Sequence, residues 1–382
     1  MKKGTLVLSL VSLSGLLALV GNNSKVNKNI IEESTILENQ SAKKLNVRSS
    51  DNENVLVSNV LKAQVSDTTT KNGENVKSLR VVAGISDLNI TPYFDRAEIN
   101  VDGNTIMPQK YTYVSCAYKT ITVNGKNQTP KDVFNTEDYN YFVTYTLKDI
   151  PEQYWFTPIS ITLKVKDSDT IVSKTLNVAA LAEEYQNSSD FSFYKIDDNN
   201  VAIGLVNMEL EEVNVPEYYL EVEETDTTLL GKRIRITSVG HDEHKNYLTF
   251  QSKKLKTVNI PEGVTKIANV CFQTAENLTS ITLPQSLTTI GYYAFVYAIS
   301  LEQIILPKNV VLSDGVFGSH NSNIKIYFEG SKIPSTWKES DWPFGIVSPT
   351  SDHFFLYSEI EKAKTEKYGY WHYDANNQPV LW

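Results

Sequence analysis

The feature that most constrains this chain is a hydrophobic unit that returns at a fixed step. Leu255, Val258, Ile260 and Pro261 are followed 23 positions on by Leu278, Ile281, Leu283 and Pro284, and after the same step by Leu301, Ile304, Leu306 and Pro307. The second half of the unit recurs too. Val264 and Ile267 correspond to Leu287 and Ile290, then to Val310 and, after a one-residue deletion, to Leu312. Cys271-Phe272 is matched by Ala294-Phe295 and Val316-Phe317. A longer, earlier copy opens at Leu210, Val213, Val215 and Pro216 and resumes at Ile236–Gly240. Self-similarity at this period is the signature of a stacked solenoid, in which each coil buries its apolar side chains against its neighbours. One coil alone does not bury enough to offset its ordering entropy, so the stack needs caps at both ends.

Within one unit the alternation is explicit. Ile281 and Leu283 point inward from a short strand, Thr282 points outward, and Pro284 ends the strand because it has no N–H to give a central ladder. Leu287, Ile290, Ala294 and Phe295 fill the return path. These residues resemble the BspA-like leucine-rich repeat, LxxIxIPxxVxxIGxxAF, with Leu283-Pro284 and Ile290-Gly291 as close fits; Gly291 becomes Ala268 in the preceding copy and Ser313 in the following one. The resemblance implies a leucine-rich repeat solenoid, here over 187–330, in an extracellular or surface-exposed protein, often an adhesive one. The pattern predicts an N-terminal cap in the hairpin-like stretch Phe191, Phe193, Ile196 then Val201, Ile203, Leu205, and a C-terminal cap in the last strand, Ile324–Phe328, plus a Trp/Tyr-rich tail over 331–382.

Residues 79–186 change period to two. Tyr141, Val143, Tyr145 and Leu147 share one face and Phe142, Thr144 and Thr146 the other; Ile159, Ile161, Leu163 and Val165 alternate with Ser160, Thr162 and Lys164. Turn signals stand between such runs at Asp102-Gly103, Asn124-Gly125 and Asp167–Asp169. This spacing predicts an immunoglobulin-like β-sandwich. The stretches LRVVAGISDLN (79–89), YFVTYTLKDIP (141–151) and ITLKV (161–165) also resemble a domain of exported Firmicutes surface proteins. That resemblance implies a structural or binding module and brings no catalytic residues. The tail stretches IYFEGSKIPSTWKESDW and LYSEIEKAKTEKYGYWHYDANNQPVLW resemble C-terminal endings of the same group. The fold class is therefore mainly β: an immunoglobulin-like sandwich followed by a short leucine-rich repeat solenoid.

The N-terminus reads as an export segment. Met1-Lys2-Lys3 is followed by an uncharged stretch over 4–21, the layout of a signal peptide or an uncleaved anchor. Leu19-Val20-Gly21 is similar to a lipobox, but Asn22 stands where the lipid-bearing Cys belongs. Membrane association is expected through this segment alone, and only where it is uncleaved. The first aromatic is Tyr93, so residues 22–78 are read as a disordered spacer, with packing beginning near 79.

Composition excludes several functions. With 36 Lys+Arg against 45 Asp+Glu the net charge is -9, which does not suit a nucleic-acid binder. Five His and two Cys rule out a multi-cysteine zinc site and a disulfide scaffold. Neither GxSxG nor a P-loop is present. Cys116 reads as a strand residue and Cys271 as an inert inward one, and Glu211-Glu212 and Glu223-Glu224 are adjacent acids too common to mark glycosidase chemistry. His241-Asp242-Glu243-His244 lacks both zincin spacings and reads as a polar loop. Neither a metal nor a cofactor is expected.

Two candidate binding surfaces follow. The outward column Lys256, Thr257, Asn259, then Thr279, Ser280, Thr282, then Glu302, Gln303, Ile305 is either a recognition face or a solvated sheet. Tyr368, Tyr370, Trp371 and Tyr373 are either a sugar-stacking platform or a cap on the last coil. The function expected is an exported, non-catalytic protein that recognises an extracellular protein or glycan. The alternatives are an enzyme or enzyme accessory acting on cell-wall or host glycans, and a structural spacer.

Overall fold

A computed structural model describes residues 45–48, 54–58, 61–86, 93–101, 104–106, 111–119, 121–123, 126–164, 171–242, 248–318, 324–335, 337 and 352–382. The export segment, the three turn signals, Glu243 and His244 lie outside them. The described chain forms two compact units. The first holds the residues up to Gln186 together with Leu220–Lys232; the second holds Asn187–Tyr219 and Arg233–Trp382.

Among the described residues the first unit has two larger sheets, beside a small one of Ile121–Val123 with Lys126–Gln128. One runs in the order Leu45–Arg48, Asn54–Val57, Glu74–Ile85, Tyr141–Pro151, Tyr111–Tyr118, all antiparallel. The other runs Ile171–Leu176, Ile159–Lys164, Tyr93–Val101, Asn104–Ile106, also antiparallel. The period of two is what builds the core. Leu79, Val81, Ala83 and Ile85 meet Val143, Tyr145 and Leu147 in one cluster with Ile159, Ile161, Val172 and Leu176. Phe142, on the opposite face of its strand, is buried as well, in a small cluster with Val82 and Ile121.

Packing begins before residue 79, which corrects the spacer assigned to 22–78. Lys62–Val65 and Thr69–Lys71 pair with the free edge of Glu74–Ile85, and Leu61 is fully buried. Aromatics are not required here, because a short strand needs only alternating aliphatics, here Ala63 and Val65, and an edge whose N–H and C=O groups want partners.

Leu220–Lys232 also departs from expectation, since it belongs to the first unit and not to the solenoid range 187–330. Thr228 and Leu229 pair in parallel with Thr175 and Leu176, and Leu229 joins the core. Asn177, buried, locks this arrangement. Its Nδ2 donates to Gly231 O at 2.8 Å, and its Oδ1 accepts from Gly231 N and Ala180 N, each at 3.0 Å. Gly231 is required here because a Cβ would sit 2.9 Å from Ala180 N.

The second unit opens with the hairpin Phe191–Lys195 and Asn200–Leu205, Phe191 opposite Leu205. Two parallel ladders follow. One stacks Val201, Ile236 in the first step, then Val239, Ile267, Ile290 and Leu312. The other stacks Val213, Val258 and Ile281. Ile304 belongs to a separate sheet, where it pairs with Ile326 and through it with Phe354. The ladder is thus broken between Ser280–Thr282 and Gln303–Leu306, although Leu255, Leu278 and Leu301 are all fully buried in one continuous core.

The corner of each coil carries a phenylalanine. Phe250, Phe272, Phe295 and Phe317 stack with centroids 5.5, 5.3 and 5.7 Å apart. Beside this column the backbone turns left-handed at Val270 (φ 49), Tyr293 (φ 57) and Gly315 (φ 61), equivalent positions of successive coils. Side chains also hold coil to coil: Glu262 accepts from Gln285 N and Ser286 N, and Asn269 Oδ1 accepts from Tyr292 N at 2.7 Å.

The C-terminal assignment is corrected too. Lys325–Phe328 is an interior rung, because Phe354–Tyr357 and Gly369–Tyr373 extend the same parallel sheet. The antiparallel strand Pro379–Leu381 closes it.

Candidate recognition surface

The outward column of the first three rungs is polar and tied rung to rung. Lys256 Nζ meets Glu211 Oε2 at 2.7 Å, and this bond holds the Glu211 carboxyl below its ordinary range. Asn259 Nδ2 donates to Asn214 Oδ1 at 2.8 Å, and Thr282 Oγ1 donates to Asn259 Oδ1 at 3.0 Å. Thr279 Oγ1 donates to Lys256 O at 3.1 Å. Thr257 is half-buried between its neighbours, while Ser280, Glu302 and Gln303 are exposed. The structure therefore brings most of the expected column together as one ordered strip. Ile305 differs, since it is half-buried against an aromatic cluster of Tyr327, Phe355 and Trp371.

That cluster divides the four tail aromatics between two faces, which disfavours the platform alternative of the two left open for them. Successive residues of Gly369–Tyr373 point to opposite faces. Tyr368 and Tyr370 pack against the main core of the second unit, and Lys362 Nζ covers the Tyr370 ring at 5.2 Å. Trp371 and Tyr373 lie with Tyr327, Phe355 and Tyr357. Trp371 is fully buried, with Nε1 donating to Phe328 O at 3.0 Å, so it has no face to offer a sugar. Tyr373 Oη donates to Glu329 Oε1 at 2.5 Å, and Gln285 Nε2 donates to Glu329 Oε2 at 2.8 Å. Burial, and then Glu329, push the Tyr373 phenol well above the usual tyrosine range.

Exposed aromatics occur elsewhere. Tyr292, Tyr293 and Tyr297 are 42, 37 and 40% exposed on the corner between Thr289–Ile290 and Gln303–Leu306. The signal for them was present in the repeat, since the matching positions hold Asn269, Val270 and Thr274 one coil earlier.

The groups considered for chemistry are otherwise engaged. The Cys271 thiol is fully buried, and burial pushes it far above the ordinary thiol range. Asp242 is paired to Lys266 at 2.7 Å and accepts from Asn269 N at 2.7 Å, and His241 stacks on Tyr194 at 4.1 Å. Among the described residues no group of three or more His, Cys, Asp or Glu is placed to hold a metal ion, and no helix is long and apolar enough to cross a membrane.

Residues 245–336 match the model of the BspA type leucine rich repeat region, in six copies. Three solved structures are similar to the chain. A leucine-rich repeat protein from Bacteroides capillosus ATCC 29799 is 17% identical, with 38% of this chain and 97% of that one covered and a TM-score of 0.30. A T. pallidum leucine-rich repeat protein is also 17% identical, with coverage of 45% and 71% and a TM-score of 0.30. A leucine rich cell surface protein from Faecalibacterium prausnitzii A2-165 is 14% identical, with coverage of 48% and 46% and a TM-score of 0.28. No curated protein matches the chain.

Proposed function

We propose that this chain is an exported, non-catalytic recognition protein that uses its leucine-rich repeat solenoid to present a fixed surface to an extracellular protein or glycan. The observation that carries the reading is the separation of roles within each coil. Leu278, Leu287, Ile290, Ala294 and Phe295 are buried, while Ser280 and Thr282 face outward on a strip ordered by cross-rung hydrogen bonds. A surface fixed before its ligand arrives loses little entropy on binding. The repeat match over residues 245–336 supports the same reading, because stacked leucine-rich repeats build extended binding surfaces. In this reading residues 1–21 are a signal peptide or anchor, and the first unit is an immunoglobulin-like sandwich.

The test is binding of the full chain to arrays of glycans and matrix proteins, beside a variant carrying Ser280→Arg and Gln303→Arg on the exposed strip. The expected result is a defined ligand class bound by the parent, with binding of a matrix protein weakened at least about tenfold in the variant and the unfolding midpoint unchanged; tenfold is about 1.4 kcal/mol. Failure of the parent to bind either array leaves the structural spacer, and release of cleaved glycan establishes the enzyme instead.

A further inference from the structure

We infer that Tyr292, Tyr293 and Tyr297 form a platform for a neutral, hydroxyl-rich sugar on the corner of the solenoid. The inference rests on the recognition reading above and names one ligand class and one place for it. The repeat shows that the fold does not ask for these rings. The equivalent residues are Asn269, Val270 and Thr274 in the preceding coil, and Asp314 and Gly315 stand opposite Tyr292 and Tyr293 in the next. Three large aromatic side chains are thus kept 42, 37 and 40% exposed at positions where small or polar residues serve the architecture.

The rings are held in place. Tyr292 stacks on Tyr293 with centroids 3.6 Å apart and planes 24° apart. Tyr293 in turn lies against Gly315, where a Cβ would come within 2.3 Å of Tyr293 Cε1. The backbone beneath is bonded to the preceding coil, with Tyr292 N donating to Asn269 Oδ1 at 2.7 Å and Val270 N donating to Tyr292 O at 2.8 Å. The neighbouring Tyr293, then burial and the Asp314 carboxylate, hold the Tyr292 phenol above the usual tyrosine range.

The chemistry selects the ligand. An aromatic face packs on the C–H face of a pyranose, and phenol and carboxylate oxygens beside it suit hydroxyl groups. Residues 268–276, 291–300 and 313–318 contain neither Lys nor Arg, so nothing in these corners neutralises a sulfate or a uronate. Lys253, which pairs with Glu276 at 2.7 Å, is already engaged. Size argues against a protein partner. At about 200 Å² per tyrosine side chain, the exposed fractions amount to about 250 Å². A stable protein interface needs about 800 Å² from each side. The smaller area matches one or two sugar rings.

The experiment uses the full chain on a printed array of uncharged hexose and N-acetylhexosamine oligomers beside sulfated counterparts. It compares the parent, a Tyr292→Ser/Tyr297→Asn variant and the Ser280→Arg/Gln303→Arg variant. Asn is chosen at 297 because the backbone there is left-handed (φ 62), a conformation Asn tolerates. The expected result is binding of an uncharged oligomer by the parent, an at least tenfold loss in the tyrosine variant at an unchanged unfolding midpoint, and retention in the strip variant. Sugar binding that survives the tyrosine variant, or that prefers sulfated oligomers, overturns the platform and leaves the recognition reading standing. Absence of binding to any uncharged oligomer also overturns the platform, and the recognition reading then stands or falls on the matrix-protein array alone.

Discussion

Val270 is one of the residues that this repeat strains. It is β-branched and left-handed (φ 49), a conformation that costs an L-residue about 1–2 kcal/mol. Two coils on, the same position is Gly315 (φ 61). Val270→Gly relieves the strain but gives back about 0.5–1 kcal/mol as lost chain entropy, so a net gain of about 0.5–1 kcal/mol is expected in urea unfolding. The reverse change, Gly315→Val, drives a Cβ into the Tyr293 ring and is expected to lower the midpoint. A fall for Val270→Gly would show that the valine side chain packs for more than its backbone loses. None of this strain was legible in the sequence, because the sign of φ is set by the turn and a valine at 270 looks like any other aliphatic.

At the scale of the element, the phenylalanine column joins coils that the strand ladders join only in part. Phe295 stacks on Phe272 at 5.3 Å with parallel planes (1°) and on Phe317 at 5.7 Å. Removing it opens a cavity between two rings, with an expected cost of about 3–5 kcal/mol for Phe295→Ala. Denaturant titration of Phe295→Ala beside Phe317→Ala checks this, and an equal or smaller loss at 295 would mean the column does not act as a joint. These elements were the legible part of the chain, because Phe272, Phe295 and Phe317 follow Leu255, Leu278 and Leu301 at the same place in the repeat, the last one residue sooner after the deletion. The later rungs were not. Phe354–Tyr357 and Gly369–Tyr373 join the same sheet without the leucine spacing, so their aromatics read as one cluster, although alternation alone separates Tyr370 from Trp371. The polar strip was legible residue by residue, whereas the bonds that order it, such as Asn259 to Asn214, follow from a register that only the fold supplies.

At the scale of the whole molecule, the chain order and the spatial order differ. The first unit takes up Leu220–Lys232 after the chain has already contributed Asn187–Tyr219 to the second. A chain ending at Gln186 loses Leu229 from the core and leaves Asn177, buried and polar, without Gly231. Such a chain is expected to unfold at clearly lower urea than the first unit does in the intact protein, by about 3 kcal/mol or more, since buried polar groups left unmade cost about 1–3 kcal/mol each. Hydrogen exchange at Ala180 N and Asn177 N reads the loss directly, and unchanged protection there would refute it. The same return of the chain governs timing. As a nascent polypeptide leaves the ribosome from its N-terminus, the first unit stays unfinished until Lys232 has emerged, so a ribosome that pauses anywhere between 187 and 231 holds a half-closed sheet in the open, within reach of chaperones and proteases.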